Sequence, residues 1–155
     1  RDSTNTAEIR PIASLTKLMT AMVTLDISKN LNTQYKLSTR VGSKLPVRAY
    51  TKKDLLTALL VKSDNAAAET LAESYPGGRA EFVRAMNNKA RQLGMNTTTF
   101  VDPSGLDMGN RSTANDVSKM ITFASKYELI SDFMIFYFKT TKDQFLCQTM
   151  LSDRV

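Results

Sequence analysis

The sequence predicts an α/β chain dominated by helices. Apolar residues recur at helical spacing in several stretches, cap and turn residues separate these stretches, and short alternating apolar positions fill the intervals. The first helix enters through Arg10-Pro11, carries Leu15, Leu18, Met19, Met22 and Val23, reads as largely buried, and ends near Ser28-Lys29-Asn30. Residues 31–50, with Gly42 and Pro46, read as loop with short strands. Thr51-Lys52-Lys53-Asp54 resembles a capping box and opens a helix whose apolar face is Leu55, Leu56, Leu59 and Leu60. That helix stops at Ser63-Asp64-Asn65, and an alanine-rich helix follows from Ala66 to about Ser74. After the turn Tyr75-Pro76-Gly77-Gly78, Phe82, Val83, Met86, Ala90 and Leu93 mark an amphipathic helix with Gly94 as its C-cap. Thr97 to Val101 reads as a strand, Asp102-Pro103-Ser104-Gly105 as a turn, and Thr113-Ala114-Asn115-Asp116 as the cap of a helix carrying Val117, Met120, Ile121 and Ala124. Phe133 to Phe138 is an unbroken apolar and aromatic run, compatible with a buried strand.

A chain of 155 residues, 42% hydrophobic and 23% charged, has the size and composition of one globular domain. It contains no apolar run of about eighteen residues, the length a membrane-spanning helix needs. The opening Arg-Asp-Ser-Thr-Asn-Thr reads as a mature or trimmed end rather than a targeting segment. With no histidine and the single Cys147, a zinc site and a histidine-dependent triad are excluded, and no internal disulfide is expected. Acyl-transfer chemistry in this chain would need lysine, a carboxylate or tyrosine as base. The net charge is +6, and Lys36, Arg40, Lys44, Arg48, Lys52 and Lys53 form a basic segment without an acid. It could meet an anionic wall polymer or a membrane surface, although a solvated face is the simpler reading. It lacks the interleaved aromatics that stack on bases, so no nucleic-acid partner is expected.

Ser14 and Lys17 sit three apart at the start of the first helix, on one face. Unpaired N–H groups and the dipole of the first turn favour an alkoxide at Ser14. Apolar surroundings disfavour a charged Lys17, so it can accept a proton, and the pair reads as a serine nucleophile with a lysine base. Taken alone, the spacing is better read as a helix-start serine and a lysine reaching solvent. Ser63-Asp64-Asn65 is open in the same way: all three residue types are preferred N-caps, yet a hydroxyl and a carboxamide at that junction could face the first helix across a cleft.

Together and in order, the two motifs are far more specific, because Ser-x-x-Lys and Ser-Asp-Asn are linked in penicillin-binding proteins and class A β-lactamases. Arg10-Pro11-Ile12-Ala13-Ser14-Leu15-Thr16-Lys17-Leu18-Met19-Thr20-Ala21 closely resembles the nucleophile segment of the low-molecular-mass penicillin-binding proteins, the D-alanyl-D-alanine carboxypeptidases and endopeptidases of peptidase family S11. The resemblance continues through Asp54 to Ala67, Phe82 to Asn87, Leu93-Gly94-Met95 and Phe100 to Leu106, and covers about residues 8–130. Ser-Asp-Asn and Tyr75-Pro76-Gly77-Gly78 lean toward the endopeptidases, which cut peptidoglycan cross-links. The resemblance implies a β-lactamase/DD-peptidase fold of which this chain carries mainly the helical lobe, an extracytoplasmic (periplasmic) location, a peptidoglycan peptide as substrate and β-lactams as covalent inhibitors. It implies no cofactor and no metal. It gives catalytic roles to Ser14 as nucleophile, Lys17 as general base, Ser63 as proton relay, and Asn65 as a holder of Lys17 and of a substrate carbonyl.

The family's third motif, Lys-Thr-Gly, is not found. Lys139-Thr140-Thr141 is the nearest string, comes too early and lacks the glycine. Residues 1–131 are therefore expected to form a truncated catalytic domain and residues 132–155 a divergent tail, with truncation or a frameshift as the expected origin. The alternative is a catalytically impaired remnant that binds peptidoglycan or a partner without turnover. A class A β-lactamase ranks lower, since no Glu-x-x-Leu-Asn loop occurs.

Overall fold

A computed structural model of the chain describes residues 5–135. Among these, the elements run β1 (Arg10–Pro11), a 3-10 turn (Ala13–Leu15), α1 (Thr16–Ile27), β2 (Gln34–Lys36), β3 (Ala49–Thr51), α2 (Lys52–Lys62), α3 (Asn65–Glu73), α4 (Arg79–Gln92), β4 (Arg111–Ser112) and α5 (Ala114–Ala124). A further helix begins at 128 and runs to the last described residue. The strands form two antiparallel pairs, β1 with β4 (Arg10 opposite Ser112) and β2 with β3 (Tyr35 opposite Tyr50). No described helix is long and apolar enough to cross a membrane.

The helix starts follow their cap chemistry. Thr51 Oγ1 accepts from the Asp54 N–H at 3.1 Å, Asp64 Oδ1 from the Ala67 N–H at 2.8 Å, and Thr113 Oγ1 from the Asp116 N–H at 3.1 Å. Each satisfies a donor that the helix itself leaves unpaired. Asp54 in the first turn of α2 and Lys62 in its last also suit the helix dipole.

α1 is the hub, packing against α2, α3, α4 and α5. Met19, Ala21 and Met22 of α1, Leu55 and Leu56 of α2, Ala66, Ala67, Ala68 and Ala72 of α3, and Phe82 and Met86 of α4 are fully buried. The alanines of α3 let its backbone come close to its neighbours, which explains how a short helix is enclosed on all sides. The loop after β2 is bound to α3: the Ser38 N–H donates to Thr70 Oγ1 at 2.8 Å, and Arg40 Nε lies 3.1 Å from Glu73 Oε1. Beside it, the buried Glu69 receives two bonds from Arg79, at 2.7 and 3.2 Å.

Four expectations change. Thr97–Val101 is not a strand but a single bridge, Thr99 to Arg111. The Phe100 backbone is paired instead with the Asn87 side chain, whose Oδ1 accepts from the Phe100 N–H and whose Nδ2 donates to the Phe100 carbonyl, both at 2.8 Å. Phe133, Met134 and Ile135, read as the start of a buried strand, are helical: buried Ile130 and half-buried Phe133 and Met134 share one helix face at i, i+3, i+4 spacing. The rest of that run, with Lys139-Thr140-Thr141 and Cys147, lies outside the described residues. Leu15, expected in the core, is 41% exposed because it belongs to the 3-10 turn before α1. The basic segment is also less uniform than its sequence: Lys52 is buried and donates to the Ser28 carbonyl, Arg40 is paired, and Arg48 stacks on the Tyr50 ring.

Two stability predictions follow from this packing. Met22→Ala in α1 costs about 2–5 kcal/mol in urea unfolding, whereas truncating the exposed Val47 to Ala stays within about 0.5 kcal/mol. Gly105 has φ +90°, and a Cβ there would overlap the carbonyl of Ala13. Gly105→Ala is therefore expected to cost at least about 1–3 kcal/mol by the same measurement.

Candidate active site

The segment before α1 is fixed on both sides. β1 pairs with β4, and the Ile12 N–H donates to the Asn110 carbonyl at 3.0 Å. Ala13 then turns with φ +47°, a conformation disfavoured for a residue with a Cβ, and its carbonyl faces Gly105. This bend leaves Ser14 exposed at the end of α1 rather than inside its first turn.

Ser63 reaches the same place from the C-cap of α2. Its φ is +52°, and its backbone N–H closes the helix on the Ala58 carbonyl. Among the described residues, Ala13 and Ser63 are the two non-glycine positions with positive φ, and each adjoins or carries a hydroxyl of the site. Backbone strain of this kind, of order 1–3 kcal/mol per residue, persists only where surrounding contacts enforce it. The product is a contact between distant parts of the chain: Ser63 Oγ donates to Ser14 Oγ at 3.0 Å.

Lys17, the second residue of α1, is 4% exposed, and its Nζ donates to the carbonyl oxygen of Ser104 at 2.7 Å. Burial pushes its ammonium below the ordinary lysine value of 10.5, an effect opposed by the nearby negative charges of Asp102 and Asp64. The turn that offers the carbonyl is held from within: Ser104 Oγ donates to Asp102 Oδ2 at 2.6 Å, the Gly105 N–H to Asp102 Oδ1 at 3.0 Å, and Asn110 Nδ2 to the same carboxylate. Thr20 of α1 donates to the Pro103 carbonyl at 2.6 Å, fastening the turn to the helix that carries Lys17.

Ser14, Lys17 and Ser63 line one cleft of about 460 Å³, whose far wall is apolar, with Leu18, Leu59, Ile121, Ile130 and Phe133. Asn65 is not in it. As the first residue of α3, Asn65 lines an adjoining hollow of about 630 Å³ with Ser43, Lys44, Lys62 and Asp64, and Ser63 is shared by both. The Asn65–Lys17 bond implied by the resemblance is not formed among the described residues; the lysine is bound to Ser104 instead. Sequence reasoning thus brought Ser14, Lys17 and Ser63 together but missed Ser104, Asp102 and Asn110. The Ser104 contribution is a backbone carbonyl, which no residue type announces. Asp102 was visible only as a turn former. Among the described residues, no group of three carboxylates or other ligating side chains is placed to hold a metal ion.

The chain matches the D-alanyl-D-alanine carboxypeptidase family over residues 2–152. It is 44% identical over 130 residues to the D-alanyl-D-alanine endopeptidase of Escherichia coli K12, an alignment covering 79% of this chain and 42% of that protein. The chain thus spans less than half of that relative's length. Among solved structures, it superposes on the D-alanyl-D-alanine carboxypeptidase of Mycobacterium tuberculosis H37Rv with a TM-score of 0.76 and 33% identity, covering 83% of this chain and 52% of the other. Penicillin-binding protein D2 of Listeria monocytogenes, solved in its cefotaxime-bound form, gives a TM-score of 0.71 at 35% identity over 81% of this chain and 56% of that one. The architecture is accordingly that of the DD-peptidase fold, represented here mainly by its helices. With a family match over nearly its whole length and the paired serines beside a buried lysine, the chain belongs to peptidase family S11, the D-alanyl-D-alanine carboxypeptidases.

Proposed function

We propose that this chain carries the nucleophile-bearing lobe, residues 1–131, of a serine DD-peptidase that hydrolyses D-alanyl peptide bonds of peptidoglycan in an extracytoplasmic compartment. The observation that carries the reading is the Ser63–Ser14 hydroxyl contact next to a buried, deprotonation-prone Lys17. Ser14 Oγ attacks the carbonyl carbon of a D-alanyl bond while its proton passes to Lys17 Nζ, so Lys17 acts as general base. The backbone N–H of Ser14 supplies one donor to the resulting oxyanion. Collapse breaks the C–N bond, and the proton held by Lys17 is relayed through the Ser63 hydroxyl to the departing amine, which leaves Lys17 neutral and Ser63 protonated again. The acyl ester on Ser14 is then released by water. A β-lactam would acylate Ser14 by the same attack and stay bound. Asn65 would contact a substrate carbonyl from the neighbouring hollow. The identity to an endopeptidase favours cleavage of cross-links over removal of a terminal D-alanine. The exposed cations Lys36, Lys44 and Lys53 offer a weak contact to an anionic wall polymer.

A second reading, a lobe that binds peptidoglycan without turnover, is supported by the placement of Asn65 away from Lys17. Mass spectrometry of a cross-linked muropeptide dimer incubated with the chain separates the two. The hydrolytic reading predicts monomer release, abolished in Ser14→Ala and reduced on the order of 10²–10⁴-fold in Lys17→Ala. Intact dimer with a demonstrably folded chain contradicts it and leaves the binding reading.

The pH dependence has a definite sign. Neutral Lys17 is the active form, so the rate rises with pH as Lys17 loses its proton, with a midpoint below 10.5. Between the folded and unfolded values the unfolded chain holds more protons, so Lys17 also makes stability increase with pH through that window. A rate profile with no inflection below 10.5 in the native chain would contradict the assignment of Lys17 as base.

A further inference from the structure

Asp102 is buried to 5% exposure, and yet no bond of the proposed mechanism uses it. Its carboxylate takes three donors, Ser104 Oγ and the Gly105 N–H of the turn and Nδ2 of Asn110, the residue just before β4. Asn110 is itself fully buried, and its Oδ1 accepts from the Val101 and Asp102 N–H groups at 2.6 and 3.1 Å. Its Nδ2 also lies 3.3 Å from Thr16 Oγ1, next to Lys17 in sequence. The carboxylate is thus the centre of a compact polar cluster wedged against the start of α1. Lys17 reaches the cluster's outward carbonyl, Ser104 O.

We propose that Asp102 is a positioning residue for Lys17: its carboxylate locks the turn 102–105 so that the Ser104 carbonyl meets the lysine amine. This rests on the reading of Lys17 as the base but is tested without turnover. The charged groups acting on Lys17 are Asp102 from the turn and Asp64 from the head of α3, and Asp102 in turn feels Arg79 at the head of α4. Burial lowers the lysine and the two carboxylates raise it, so the cluster keeps a buried amine from becoming too weak a base. A turn that merely closed the loop would need the hydrogen bonds but not the charge.

The test is a carbon NMR titration of the full chain labelled at lysine Cε, with the Lys17 signal assigned by its loss in Lys17→Arg. In Asp102→Asn, which keeps the size of the side chain but removes its charge, the Lys17 midpoint is expected to move to lower pH. In Ser104→Ala, which keeps charge and carbonyl, the midpoint should stay with the native chain. An unmoved midpoint in folded Asp102→Asn overturns the proposal. If Asp102→Asn does not fold, Asp102→Glu gives a second reading: its longer side chain keeps the charge but cannot make the same three bonds, so the Lys17 midpoint is expected to move from the native one. An unmoved midpoint in folded Asp102→Glu also overturns the proposal. Because the signal is read without substrate, a chain that fails to release muropeptide still decides it, and an unmoved midpoint leaves the hydrolytic reading standing.

Discussion

A buried amine must direct its hydrogens somewhere, and Lys17 directs one to the carbonyl of Ser104 at 2.7 Å. Much of the site depends on this contact. It requires the turn 102–105 to lie against the start of α1, which requires a residue without a Cβ at 105, since the Ala13 carbonyl occupies that space. The same close approach bends the chain at Ala13 and lifts Ser14 out of the helix into the cleft. One interface therefore places Ser14 and holds Lys17, and the two cannot shift independently. Thr20 bonding to Pro103 and Asn110 bonding to Ile12 make that interface continuous across α1 and the chain that precedes it.

The second constraint lies across the cleft. Ser63 ends α2 in a left-handed conformation, and Asp64 begins α3 by capping the Ala67 N–H. From this tight junction between two helices, the Ser63 hydroxyl reaches Ser14. Asp64 is anchored on its other oxygen by Ser43 Oγ at 2.6 Å, so the loop after β2 also supports the junction. The alanine-rich α3 supplies the rigidity: four of its residues are fully buried alanines, and a helix that cannot shift keeps its first residues in place. The result is a cleft with two characters. The part around Ser14 and Lys17 is walled by apolar side chains that favour a neutral lysine, and the part around Asn65 is lined mainly by polar and charged groups.

Much of this was legible in the residues. The three cap residues Thr51, Asp64 and Thr113 lie where side-chain oxygens precede apolar-periodic runs, and the helices begin there. The Ser14–Lys17 spacing and the Ser63 junction also led to a shared cleft. Other features were hidden for physical reasons. Thr97–Val101 has strand-like residues, but Asn87 from a preceding helix takes up the Phe100 backbone bonds a partner strand would have used. The apolar run at 133 carries no period of its own, and only Ile130 upstream shows that its first residues continue a helix face. The Ser104 carbonyl could not be read at all, since every residue offers one. Asn65 was assigned by analogy to a contact with Lys17, and its position at the first residue of α3 turns it to the other side of Ser63.

On the proposed hydrolytic reading, Ser14 Oγ is the atom that becomes acylated. The most direct measurement is tandem mass spectrometry of the chain after exposure to a fluorescent penicillin, mapping the residue that bears the opened ring. One adduct is expected, on Ser14, formed at a rate that falls when Ser63 is changed to Ala. An adduct on another residue, or an unmodified chain whose helices are shown to be folded, would contradict it.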